Sequence, residues 1–194
     1  MEQSKINPDV EKLADNLGEL PELVAKPILI IVSGLPGTGK SYFCKRLTER
    51  LPATILESDA LRKTLFTKPS YSRTESARLF KTIRLLTERL LKRGISPILD
   101  ATNLSERYRE YFYSIAERLD VKLVLVSVEA PPLLVKERLE ARLKNTGEKS
   151  DADWEVYQKM SNSVEKITRK HYVVDTSRDI TSVLDKIMRE VRRR

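Results

Sequence analysis

Residues 34–41 read Gly34-Leu35-Pro36-Gly37-Thr38-Gly39-Lys40-Ser41, a complete G-x-x-x-x-G-K-[ST] run, and its setting decides the fold. It follows Ile28-Leu29-Ile30-Ile31-Val32, an unbroken apolar run that reads as a buried strand. It opens Lys40-Ser41-Tyr42-Phe43-Cys44-Lys45-Arg46-Leu47, which reads as a helix to about Arg50. Each part has a physical purpose. Glycines let the backbone turn inward and aim its N–H groups at phosphate oxygens. The helix N-terminus adds unpaired donors and about half a positive charge. Lys40 is then placed to reach the β- and γ-phosphates while the Ser41 hydroxyl ligates Mg²⁺. Residues 34–42, from Gly34 through Tyr42, are therefore the expected contacts of a nucleoside triphosphate, with ATP and Mg²⁺ as the natural pair.

The flanking pattern repeats strand and helix. Ala53-Thr54-Ile55-Leu56-Glu57, Ile95-Ser96-Pro97-Ile98-Leu99-Asp100, Val121–Val128 and Tyr172-Val173-Val174-Asp175 read as four further strands. Ser72-Arg73-Thr74-Glu75 has the form of a capping box for a long helix whose apolar positions are Leu79, Ile83, Leu86 and Leu90. Ser105 is placed to cap a helix through about Leu119, Pro131-Pro132 start another, and a closing helix runs from about Asp179. Such alternation predicts an α/β fold, a five-stranded parallel sheet with helices on both faces. The expected strand order is 2-3-1-4-5. Residues 1–26, with an N-cap at Asn7-Pro8-Asp9 and a stripe of Val10, Leu13 and Leu17, read as a helical appendage. Residues 27–194 read as the main domain, with a lid over about 138–157 that includes the polar segment 144–153, expected to be mobile.

Composition narrows the classes. The 194 residues carry a net charge of +8, which suits a phosphate-rich partner, either nucleic acid or a phosphorylated small molecule. No segment approaches the roughly 20 apolar residues of a membrane span, and the N-terminus lacks an apolar signal core, so a cytoplasmic protein is expected. The single cysteine, Cys44, excludes an internal disulfide and reads as a packed core thiol. One histidine, His171, gives no basis for a zinc site.

Ligands of a parallel sheet bind beyond the C-terminal strand ends, and the chemistry-bearing residues cluster there. Asp59 ends the second strand and is positioned to take a proton from an acceptor hydroxyl. Arg62, three residues on, shares its side and can hold an acceptor anion in a fork. Asp100 closes the third strand, where an acid orders Mg²⁺ directly or through water. Thr102 and Asn103 follow, placed to hydrogen-bond the metal shell or the acceptor. Arg138 and Arg142 stand four apart on one helical face and read either as lid arginines that stabilise phosphate charge or as an exposed, Glu-paired helix. Trp154 and Tyr157 either stack on a base or dock a lid helix.

These residues resemble the P-loop kinases related to the 5′-hydroxyl polynucleotide kinases. The likeness runs over about residues 28–175 and rests on the phosphate loop, the Asp-x-x-Arg step at Asp59 and Arg62, Asp100-Ala101-Thr102-Asn103-Leu104, the arginine-bearing lid helix, and Ser150-Asp151-Ala152-Asp153-Trp154. It implies Asp59 as general base, Arg62 beside the accepting hydroxyl's phosphate, and a lid arginine on the donor phosphates. Related kinases for gluconate, adenylyl sulfate, antibiotics and nucleotide sugars share the loop, the acid and the lid. Three readings follow: a kinase acting on a nucleic-acid 5′-hydroxyl, a small-metabolite kinase, and a regulatory ATPase. Asp59 argues against the last, because a switch needs an ordered water rather than an acid aimed at an organic hydroxyl. For a nucleic-acid acceptor, Arg73, Arg78 or Arg84 on the long helix are the expected phosphate contacts.

Overall fold

The computed structural model describes residues 7–102, 105–144 and 153–193. Five strands, β1 (Ile28–Ser33), β2 (Thr54–Glu57), β3 (Pro97–Asp100), β4 (Lys122–Glu129) and β5 (Tyr172–Asp175), form one sheet in the order β2-β3-β1-β4-β5. Every pairing is parallel, so the expected architecture and order both hold. β1 is central and fully buried, as its unbroken apolar run requires.

Alternation along β1 divides the core into two layers. Leu29 and Ile31 face a cluster built with α3 (Ser58–Leu65), α4 (Arg73–Lys92) and α5 (Glu106–Arg118). Ile28, Ile30 and Val32 face a second cluster with α2 (Lys40–Thr48) and α8 (Thr181–Arg192). Cys44 is buried there, as a packed thiol should be, and burial pushes its pKa well above the usual range. A third, smaller cluster joins α6 (Pro132–Lys144) to α7 (Trp154–Ser161) through Val135, Leu139 and Tyr157, with Leu35 of the phosphate loop against it.

The N-terminal helix α1 (Pro8–Ala14) stops one turn earlier than the apolar stripe to Leu17 suggests, yet it is sewn to the domain. Val10 and Leu13 are buried in the α4 cluster. Asp9 takes both donors of Arg78 at 2.6 and 2.7 Å, and Glu11 pairs with Arg89. Arg78 is thus already committed within the chain.

Two local expectations needed revision. Residues 95–96 are not strand. The Ser96 hydroxyl accepts from the Ile28 N–H and its carbonyl from the Thr54 N–H, locking β1 and β2 in place before β3 begins. Ser105 makes no side-chain cap. The Glu106 N–H is instead satisfied by Glu165, 59 residues away, at 2.6 Å. Among the described residues, no helix is long and apolar enough to cross a membrane.

Candidate active site

The phosphate loop joins β1 to α2 on the carboxyl edge of the sheet. Gly39 occupies the N-cap of α2 with φ +93°, a conformation L side chains rarely adopt. Gly34 permits a close approach instead, since a Cβ there would lie 2.4 Å from the Val128 carbonyl oxygen. Its N–H and the Ser33 hydroxyl both bond the Thr102 carbonyl, at 3.1 and 3.0 Å, so the β3–α5 connection braces the start of the loop. Pro36 and Thr38 are buried, and Tyr42 is exposed on the first turn of α2.

Lys40 folds back onto its own loop and donates to the Leu35 carbonyl at 3.0 Å, beside the Thr38 hydroxyl at 2.8 Å. Burial lowers its pKa, while the carboxylates of Asp100 and Asp59 work to keep it protonated and the charge of Arg142 works against it. These charges therefore converge on one ammonium. Asp59 sits not at the strand end but in the first turn of α3, half-buried, two residues past β2.

Asp100 is buried at the end of β3. Burial raises its pKa, opposed by Lys40 and by a hydrogen bond from the Ser41 hydroxyl. Its Oδ2 has no hydrogen-bond partner among the described residues. A buried carboxylate oxygen without a donor, beside a loop hydroxyl and close to a second carboxylate, fits a divalent cation of the Mg²⁺ type. Such an ion takes one or two carboxylates and completes its shell with water and phosphate.

Arg62 is turned inward. It is buried, ion-paired with Glu75 of α4 and bonded to Ser76 at 3.3 Å, and its guanidinium lies 4.7 Å from the Tyr71 ring centroid. Its Nε has no hydrogen-bond partner among the described residues. Burial works to raise the Glu75 carboxyl, but hydrogen bonds from Ser70, Arg62 and Tyr71 outweigh it and hold it at about 2. The Ser72 hydroxyl does cap α4 by accepting from the Glu75 N–H, but the Glu75 carboxylate spends itself on Ser70 and Tyr71 rather than closing the box. Tyr71 is held at φ +54°, a strained conformation for an aromatic residue. Nothing in the local sequence announced this cluster.

The two α6 arginines part company. Arg138 donates to the hydroxyl and carbonyl of Thr176, at 2.8 and 3.0 Å, behind the loop. Thr176 in turn donates to the Thr38 carbonyl at 2.6 Å, so this pair anchors the phosphate loop to the segment after β5. The charge of Arg142, one turn on, acts on Lys40. Trp154 and Tyr157 stack on each other with centroids 4.8 Å apart, and Tyr157 is buried against α6. They dock α7 rather than offering a free face. Asn103 and Leu104, and the polar stretch 145–152, lie outside the described residues. A cavity of about 530 Å³ opens between Gly34 and Leu35, the end of β4, and the segment carrying Lys166 and His171.

A glycine-rich loop leading from a central parallel strand into a helix, with a buried acid on the neighbouring strand, defines a P-loop nucleotide-binding protein with the fold of the small kinases. The chain belongs to the AAA domain family, whose sequence model matches residues 29–167. It is 29% identical over 119 residues to the L-seryl-tRNA(Sec) kinase of Methanococcus maripaludis, a match covering 58% of this chain and 46% of that protein. The chain thus spans about half the length of that relative. Kti12 of Chaetomium thermophilum, solved with ADP-AlF3, superposes with a TM-score of 0.68 at 20% identity, covering 84% of this chain and 98% of that one. The APS kinase CysC of Mycobacterium tuberculosis, solved with AMPPNP and APS, gives 0.64 at 16% identity, covering 84% and 96%. At these identities the two structures share the fold.

Proposed function

We propose that the protein is an ATP-dependent kinase that transfers the γ-phosphoryl group to an acceptor hydroxyl, with a nucleic-acid end as the first acceptor class. The observation that carries this reading is the pair of carboxylates acting on Lys40, one buried with an oxygen that no described residue satisfies and one half-buried in the first turn of α3. Two acids in unlike surroundings suit two tasks.

In this reading Lys40 leaves the Leu35 carbonyl for the β- and γ-phosphates, and the loop N–H groups hold the remaining oxygens. Ser41 and Asp100 would hold Mg²⁺, which when bound neutralises phosphate charge and fixes the donor. Asp59 accepts the acceptor's hydroxyl proton as its oxygen bonds the γ-phosphorus and the bond to the β–γ bridging oxygen breaks, releasing ADP. Arg142 closes on the developing charge, while Arg138 steadies the loop from behind. Arg62 meets an acceptor anion through donors that it now shares with Glu75. Thr102 and Asn103 complete the acceptor side. A relative named as a kinase of an aminoacyl-tRNA supports an acceptor carried on nucleic acid. A small-metabolite acceptor, such as a sugar acid or antibiotic, is the second reading. It is favoured by the 530 Å³ cavity, which lies in the size range of small-molecule sites.

Asp59→Asn tests the mechanism, because the isostere keeps shape but cannot take the proton. Turnover should fall by roughly 10² to 10⁴ while binding of a non-hydrolysable ATP analogue changes little. A variant that loses the nucleotide but keeps its rate at saturation would make Asp59 a metal ligand instead.

A further inference from the structure

Helices α4 and α5 both begin at the catalytic edge and run away from it side by side, as helices feeding parallel strands must. Along α4, Arg73, Ala77, Phe80 and Arg84 fall on one stripe, with Lys81 at its border. The facing stripe of α5 carries Arg107, Tyr108 and Tyr111. The two meet in alternating aromatic and cationic contacts. Phe80 stacks on Tyr108 at 5.2 Å, and the Arg84 guanidinium lies 4.9 Å from the Tyr111 centroid. Tyr108 and Tyr111 remain 39% and 40% exposed, so each ring keeps a surface for another partner.

The charge balance of this face is one-sided. Each of the five carboxylates on the two helices is already engaged. Glu75 pairs with Arg62, Glu88 with Lys92 and Arg118, Glu106 with Arg109, and Glu110 and Glu117 with Arg169. Arg78 and Arg89 are held by α1. Among the described residues, no carboxylate pairs with Arg73, Lys81, Arg84 or Arg107, and all four lie on or beside the aromatic stripe. From Arg73 to Arg84 the stripe extends about 16 Å, too long a track for one small anion.

We infer that this α4–α5 face binds a single-stranded nucleic acid, with phosphates on these four cations and unstacked bases on Tyr108 and Tyr111. Rings interleaved with cations suit exposed bases and a continuous polyanion, and a paired duplex would leave the rings unused. The inference relies on the kinase reading only in supposing that the strand's end reaches the catalytic edge. Binding itself needs no ATP.

The test is fluorescence anisotropy with a short, labelled, 5′-hydroxyl single-stranded oligoribonucleotide over a salt series, without ATP. Affinity should fall with log salt with a slope of about −0.7 per phosphate, or about −3 for four contacts. Arg84→Gln should lower that slope by about 0.7. Tyr111→Ala should weaken binding about tenfold, with Tyr111→Phe restoring it, because the ring does the stacking. Lys186→Gln, on the far helix α8, should bind as wild type does. The inference is overturned if the oligonucleotide does not bind at low salt while an ATP analogue does. Wild-type binding by both Arg84→Gln and Tyr111→Ala, or equal loss in Lys186→Gln, overturns it as well. Oligonucleotide binding without any ATP-analogue binding would leave this surface standing and remove the kinase reading.

Discussion

Glu75 links acid sensitivity to the architecture around the site. Its carboxylate holds the buried Arg62, the Ser70 N–H and hydroxyl, and the Tyr71 N–H, and these bonds keep it ionised down to about pH 2 despite burial. An unfolded glutamate takes up its proton near 4.5, so between those values the unfolded state binds more protons than the folded one. The bond's contribution is complete above about 4.5 and is lost as pH falls toward 2. Glu88, held to about 2 by Arg118 despite partial burial, titrates in the same window. Glu75→Gln should therefore be less stable than wild type at neutral pH and show a shallower loss of stability on acidification over that window. Equal pH slopes for the two proteins, followed by thermal melts, would contradict this account. Arg62 and Glu75 stand 13 residues apart, on different helices. The sequence offered Glu75 as a cap and Arg62 as a free fork because neither local pattern encodes their meeting.

Elements defined by their own periodicity were legible. The buried run of β1, the loop after it and the apolar stripe of α4 follow from spacing alone, and Leu79, Ile83 and Leu86 are fully buried as that stripe requires. Elements fixed by distant partners were not. The start of α5 is capped by Glu165, 59 residues away, and the phosphate loop is tied at Thr38 to Thr176, 138 residues away. No window of sequence contains both ends of either contact. The helix α1 shows the same limit. Its stripe was readable, but its packing against α4 depends on Leu13 being wholly buried in the main cluster. Leu13→Ala should therefore cost about 2–5 kcal/mol, the range for a core leucine, measured by urea denaturation. A cost under about 0.5 kcal/mol, typical of surface positions, would make α1 a loosely attached appendage.

At the scale of the whole molecule, the parallel order β2-β3-β1-β4-β5 places the ends of three strands around one ammonium. β1 delivers the loop, β3 the buried Asp100, and β2, through the first turn of α3, Asp59. The two faces of the sheet divide the labour. α2 and α8 pack against one face of β1, beneath the phosphate loop, and α3, α4 and α5 pack against the other, the face to which the proposed reading assigns the acceptor. What distinguishes a kinase from a nucleotide switch built on the same sheet is where the γ-phosphoryl group goes. The decisive measurement is the fate of γ-labelled phosphate from ATP and Mg²⁺, supplied with 5′-hydroxyl oligonucleotides and, in parallel, with hydroxyl-bearing metabolite pools. The account predicts label on an acceptor hydroxyl, reduced about 10²- to 10³-fold in Lys40→Ala, which should melt near the wild-type temperature without nucleotide. Label released only as inorganic phosphate, at a rate no acceptor alters, would contradict it.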